Sequence, residues 1–313
     1  MDIALNHITH GEIFSGMARL VSELADIRRR LSHTDWLCFA KTQVLTHGVR
    51  SVVHEDPLTY RAFSKPRGYA GDAVMMDYIY GYGPVETDGL SAMAQGLFGF
   101  TAQSAASAAV RFRRRVLAEA IDSEAARVGR PIDVVALAAG HLREVDLSTA
   151  VRTGAASVTA LDQDEESLAL VHREYAKHGV QAVPTSVRHI LGGRTRLPAS
   201  DLSYTAGLYD YLTEPVATRL TSLMFEALRP GGSLLLANFL PNIHDVGYME
   251  SLMDWQLIYR DDAEMRALAD GIPCGEIASI EQFHDPFDNI TFMKVSKAGG
   301  GLACRNRHLA SVS

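Results

Sequence analysis

Between residues 132 and 239 the chain repeats one pattern five times. DVVALAA, SVTALD, QAVPTSV, DLSYTAGL and GSLLLANF are short apolar runs, each separated from the next by a helical or loop-like segment. Runs of strand length with little polar alternation suit strands buried on both faces of a parallel sheet. The regular return through helices then gives a doubly wound α/β architecture. EPVATRLTSLMFEALRPGG reads as one crossover helix, opening at Glu214-Pro215 and stopped by Pro-Gly-Gly ahead of the fifth strand. YMESLMDWQLIYRDDAEMRALADG reads as helical, with its aromatics packed and Arg260 paired to an acid. EIASIEQF and NITFMKVSK form a closing antiparallel pair around HDPFDN.

Upstream the rhythm is helical. In GEIFSGMARLVSELADIRRRL the residues Ile13, Phe14, Met17, Leu20, Val21, Leu24, Ile27 and Leu31 recur at steps of three and four and share one face. A second helix is expected to start with Asp35 as its N-cap, and Asp56-Pro57 marks another start. Thr101 to Val128 reads as one long helix whose RFRRR run forms a solvated face, closed by Gly129-Arg130-Pro131. That tripeptide divides a helical domain, 1–130, from a sheet domain, 131–300, followed by a loose tail, 301–313.

Composition narrows the partners. Across 313 residues a net charge of −7 gives no basic field for nucleic acid or anionic lipid. No apolar run approaches the length of a membrane span, so neither insertion nor export is expected. Cys38, Cys274 and Cys304 lack metal or disulfide spacing, and the histidines are scattered, so a cytoplasmic protein without a metal site is expected.

In an open parallel sheet, ligands bind beyond the carboxyl ends of the strands, which directs attention to the loops AAGHLRE and LDQD. Asp162 follows Gly140 by 22 positions, at the end of the second strand, where a carboxylate accepts the ribose hydroxyls of a nucleoside. The competing role is a helix cap, which Asp162 or Asp164 would serve equally well for EESLALVHREY. The loop carries Gly140 but not the three glycines that seat a pyrophosphate. A nucleoside without phosphates, such as S-adenosylmethionine, asks less of it.

Taken with KPRGYAGDAVMMDYIY, LAAGHLREV, VTALDQD, YTAGLYDYL, LRPGGSLLLANF and MDWQLIYR, the chain resembles class I S-adenosylmethionine-dependent methyltransferases. More narrowly, it is similar to the bacterial family of 3-hydroxypalmitic acid methyl ester biosynthesis. It departs from the wider group at Ala138 and Ala139, where a further glycine is usual. The resemblance implies a Rossmann-like domain under a helical N-terminal lid, with S-adenosyl-L-methionine as cofactor. Ala138 and Gly140 would line the cofactor loop, Asp162 hold the ribose, and Gln163, Ser186 and Val187 flank the adenine. Tyr209, Asp210 and Tyr211 would face the reacting sulfonium, with Asn238 behind them; His141, in the cofactor loop, is either a base near pH 7 or simply a loop residue. In the lid, Arg67 would clamp a carboxylate and Tyr69 and Tyr78 present rings or hydroxyls, unless Arg67 merely pairs with Asp72. The implied activity is methyl transfer to a small molecule of secondary metabolism, such as a hydroxy-fatty acid carboxylate. Cyclisation of the cofactor to azetidine-2-carboxylate and binding without turnover are the alternatives. The expected partners are the acceptor and, as an open alternative to the monomer, a second copy in a homodimer.

Overall fold

The computed structural model describes residues 1–82 and 89–299, so the tail expected at 301–313 lies outside the described residues. The chain divides into two compact units. The first comprises Met1–Val116, Asn238–Asp261 and His284–Thr291; the second comprises Leu117–Ala237, Asp262–Phe283 and the chain from Phe292 onward.

The second unit is built on a sheet of β1 (Ile132–Leu137), β2 (Ala156–Asp162), β3 (Val180–Pro184), β4 (Ser200–Thr205), β5 (Leu228–Phe239), β6 (Ile277–His284) and β7 (Ile290–Lys297). Their order is β3-β2-β1-β4-β5-β7-β6. The first five strands pair in parallel, with Ile132 opposite Ala156 and Leu137 opposite Leu161. β7 runs against β5, since Gly231 bonds to Ala298 while Leu240 bonds to Asn289. This is the Rossmann-like sheet with an antiparallel closing strand that the apolar runs predict. Strand order reverses between β1 and β4, the place where such sheets bind ligands.

Both faces of the sheet are covered. Val135, Leu137, Leu161, Leu234 and Leu236 pack on Leu220, Met224 and Phe225 of the helix Glu214–Glu226 and on Met265. The intervening residues Val134, Ala136, Val158, Ala160 and Leu235 point to the other face and are equally buried. Each buried Val, Leu or Met side chain contributes roughly 1.5–3 kcal/mol, which explains why these strands carry no polar alternation.

Two boundaries differ from the sequence reading. The crossover helix ends at Glu226, and Pro230-Gly231-Gly232 lies within β5, where the register against β4 shifts between Ser200 and Leu202. A Cβ at Gly232 would stand 2.8 Å from the Asp201 carbonyl oxygen, so this kink needs glycine. The long helix predicted from residue 248 is instead Val246–Leu252 and Asp262–Ala267 with extended chain between them. Asp254 adopts φ +45° there, and the following backbone bonds to the end of β5: Arg260 N donates to Phe239 O at 3.0 Å.

In the first unit the helix Ile13–Arg30 buries Met17, Leu20, Val21 and Leu24 as its spacing dictates. The next helix, His33–Phe39, is capped by Ser32, not Asp35: the Ser32 hydroxyl accepts from Asp35 N at 3.2 Å and donates to the Asp35 carboxylate at 2.7 Å. Asp35 thus sits at the third helical position of a reciprocal cap. Asp56 does cap Pro57–Ser64, accepting from Leu58 N and Thr59 N, each at 3.1 Å. The segment read as one helix from Thr101 is two, Ala92–Thr101 and Ala105–Val128, with Ser107 Oγ donating to Thr101 O across the break at 2.8 Å. The arginine run is largely packed, with Arg115 alone of its arginines exposed. Arg111 donates to Ile79 O and Ala102 O, Arg113 is buried, and the Arg114 guanidinium lies 4.9 Å and 5.2 Å from the Tyr80 and Tyr82 ring centres.

Candidate functional site

The carboxyl ends of β1, β2 and β3 are laced together in the second unit by backbone bonds. Ala139 N donates to Leu161 O at 3.2 Å, and Thr185 N donates to Asp162 O at 2.8 Å. After β1 the chain turns sharply, with positive φ at Ala138 (+53°), Gly140 (+54°) and Leu142 (+52°). For a residue with a Cβ that conformation costs roughly 1–2 kcal/mol, so the loop holds it against local preference. Its result is that Gly140 N points at Asp162 and donates to Oδ2 at 2.8 Å.

Asp162 is the centre of this arrangement. Its other oxygen accepts from Asp164 N at 2.9 Å. The side chain is 7% exposed, and burial pushes its carboxyl above the usual aspartate range against the pull of the Asp164, Gly140 and Gln163 amides. A carboxylate offers about four acceptor positions, so these bonds leave capacity for a ligand hydroxyl. The cap reading falls to its neighbour: Asp164 is the N-cap of Glu165–Tyr175, accepting from Glu166 N at 3.1 Å.

The other candidates of this unit spread along the same edge. Gln163 is exposed beside Asp162. Ser186 caps the short helix Val187–Leu191 by accepting from His189 N at 3.3 Å, and Val187 packs on the core. His141 is buried in the β1 loop. Residues 209–211 form a turn of 3₁₀ helix, so strand alternation does not govern them. Tyr209 is fully buried in the core with its hydroxyl 2.8 Å from Thr221 Oγ1; Asp210 is buried, and Tyr211 is 39% exposed.

Sequence reasoning passed over three residues here. Tyr204 donates to Glu144 Oε1 at 2.6 Å, both side chains being buried, and burial together with the Glu144 charge raises the phenol well above its usual pKa. At the end of β4 the Thr205 hydroxyl is buried with no hydrogen-bond partner among the described residues. A buried orphan hydroxyl is costly unless a ligand or water completes it.

The remaining candidates lie in the first unit. Arg67 and Tyr69 are half-buried in the turn after Pro57–Ser64, where Lys65 (φ +48°) and Gly68 (φ +87°) reverse the chain. Arg61 braces Asp72, with Nε and Nη2 donating to its two oxygens at 2.8 and 2.7 Å while Asp72 caps Ala73–Tyr80. Tyr78 sets its ring edge-on to Phe98. Asn238 is fully buried and committed: its amide nitrogen donates to Phe239 O and Ile258 O, and its oxygen accepts from Arg260 at 2.7 Å. It secures the extended segment 254–261. Among the described residues no group of three or more His, Cys, Asp or Glu is placed to hold a metal ion, and no helix is long and apolar enough to cross a membrane.

No family model and no curated protein matches the chain. Among solved structures it is similar to a possible exported protein from Bordetella parapertussis, with 18% identity over 73% of this chain and 80% of that one and a TM-score of 0.59. It is also similar to a magnesium protoporphyrin IX methyltransferase from Synechocystis solved with S-adenosylhomocysteine, at 12% identity over 76% of this chain and all of that one, with a TM-score of 0.48. An N-methyltransferase from Bradyrhizobium japonicum, also with S-adenosylhomocysteine, shares 10% identity over 59% of this chain and 87% of that one, with a TM-score of 0.43. At these identities the likeness is one of fold, carried by the Bordetella protein.

Proposed function

We propose that the chain is an S-adenosylmethionine-dependent methyltransferase acting on a small molecule. The observation that carries this reading is Asp162, a buried carboxylate at the end of the second strand, aligned by the Gly140 amide and retaining acceptor capacity. A ribose hydroxyl supplies a donor for the acceptor capacity that the three amides leave. The orphan Thr205 hydroxyl on the neighbouring edge is a second polar group that a bound nucleoside would satisfy. The residues therefore fit the cofactor, which supplies a methyl group already activated on a sulfonium.

In this reading Asp162 orients the ribose, Gly140 and Ala138 shape the floor of the loop, and Ser186 and Val187 flank the base beside Gln163. Asp210 and Tyr211 are the groups for proton handling, while Tyr209 anchors their turn through Thr221. A carboxylate acceptor, such as the hydroxy-fatty acid that the sequence resemblance suggests, needs no base; an amine or hydroxyl acceptor does.

The test is calorimetric titration of S-adenosylhomocysteine into the wild-type chain and Asp162→Ala. Removal of a charged acceptor of a ligand hydroxyl should weaken binding by about 10- to 100-fold. Equal affinity in the two proteins would sink the assignment. Mass spectrometry of reactions with S-adenosylmethionine and an acceptor panel follows, in which enzyme-dependent S-adenosylhomocysteine supports methyl transfer. Methylthioadenosine formed without acceptor would replace transfer by cyclisation.

A further inference from the structure

The first unit holds a chamber of its own that opens to solvent. Its wall is largely apolar, formed by Met75, Ile79, Phe100, Met249, Met253 and Trp255 among others. Polar side chains reach it at few points, and most are already engaged. Thr101 donates to the buried Asp56 at 2.9 Å, Ser107 donates to Thr101 O at 2.8 Å, and the Tyr248 hydroxyl is 2.8 Å from Thr59 Oγ1.

Asp245 is different. It lines the chamber at 7% exposure, and it accepts from Ala106 N at 2.8 Å, with Ser104 as its other hydrogen-bonding neighbour. Two of its roughly four acceptor positions therefore remain. No lysine, arginine or histidine lines the chamber. Burial pushes the Asp245 carboxyl above the usual range, as expected for an acid facing apolar walls.

We propose that this chamber binds an apolar small molecule carrying a hydrogen-bond donor, an amine or hydroxyl, which is read by Asp245, and that it rejects carboxylates. An anionic headgroup would enter a low-dielectric space beside a second acid with no cation in the wall to offset it, the His244 charge next to Asp245 acting from outside the lining. An ammonium gains a charged partner there, and a hydroxyl gains an acceptor. Three methionines in the wall suit such a ligand because thioethers adapt to apolar and aromatic shapes. The proposal concerns binding in the first unit alone and does not depend on the cofactor reading.

The test uses a matched series on the full chain without cofactor: phenethylamine, 2-phenylethanol, phenylacetate and ethylbenzene. Calorimetry measures affinity, and spectra of methionines labelled with ¹³C at the methyl group locate the site. The expected result is binding of the amine and the alcohol at least tenfold tighter than of phenylacetate, with methyl shifts concentrated at Met75, Met249 and Met253. Asp245→Asn should remove the advantage of the amine over the alcohol while keeping an oxygen that can accept from Ala106 N. Phenylacetate binding as tightly as phenethylamine to wild type, no binding by any of the four, or shifts centred on other methionines would each overturn the proposal. The wild-type ranking alone decides the matter should Asp245→Asn fail to fold.

Discussion

The two ends of the central sheet treat a buried aspartate in opposite ways. At the amino end, Asp201 near the start of β4 accepts from Arg130 at 2.6 Å, Arg229 at 2.9 Å and Asp133 N at 3.0 Å. Burial raises its carboxyl, but the bonds from Arg130 and the Asp133 amide, with the charges of Arg130 and Arg229, outweigh that and hold it below the usual range. At the carboxyl end, Asp162 is held by backbone amides alone, without a cation among the described residues, and burial prevails. One end is neutralised internally and serves stability. The other keeps acceptor capacity that no side-chain cation fills, which is what the proposed ribose site requires.

The largest effect on stability should therefore come from the amino end. Asp201→Asn removes the carboxylate that gathers Arg130 and Arg229, and it weakens the acceptor of Asp133 N. A loss of about 1–3 kcal/mol is expected in urea unfolding, tempered by the solvent reach of both arginines. Asp162→Asn should cost less, because it also removes an unfavourably buried charge. The contrast between the ends fails if Asp162→Asn proves the more damaging substitution.

The pH dependence sharpens the same contrast. Asp201 has a lowered folded pKa, so its stabilisation is present above the unfolded value near 4 and disappears as pH falls through the folded value. The Asp201→Asn deficit should shrink in acid. Asp162 has a raised folded pKa, so between the unfolded and folded values the native state holds the extra proton, and stability falls as pH rises through that window. Asp162→Asn should accordingly gain on wild type as pH climbs from about 4. Urea midpoints of the three proteins from pH 3.5 to 7 check both slopes, and parallel profiles would dissolve the distinction.

What could be read from sequence follows from how local each cause is. The five parallel strands announced themselves because burial on both faces removes polar residues from consecutive positions, as in Val134–Leu137. Asp162 was legible through its spacing from Gly140, although only geometry could pass the cap role to Asp164. Thr205 and the Glu144–Tyr204 pair were not legible, since a polar residue within a buried strand shows its partner, or the lack of one, only after folding. The RFRRR run misled for a related reason: the carbonyls and rings that receive Arg111 and Arg114 come partly from residues about thirty positions earlier. Pro230-Gly231-Gly232 has the composition of a helix stop, yet the close approach of the Asp201 carbonyl makes it a kink within β5.

The smallest expected effect lies in the loop that makes the carboxyl end distinctive. Ala138 holds φ +53° next to the end of β1. Ala138→Gly would relieve a left-handed conformation worth roughly 1–2 kcal/mol, while the freer unfolded chain takes back about 0.4–1 kcal/mol. A net gain of up to about 1 kcal/mol is expected, read as a higher urea midpoint at unchanged slope. Affinity for S-adenosylhomocysteine should stay within about threefold, because the Gly140 amide that aligns Asp162 is fixed at both ends of the loop by Ala139 N on Leu161 O and by its own bond to Asp162. A gain in stability accompanied by a large loss of affinity would show instead that the strain at Ala138 itself sets the aim of that amide. The carboxyl end would then store conformational energy for binding, where the amino end spends its charges on holding the strands together.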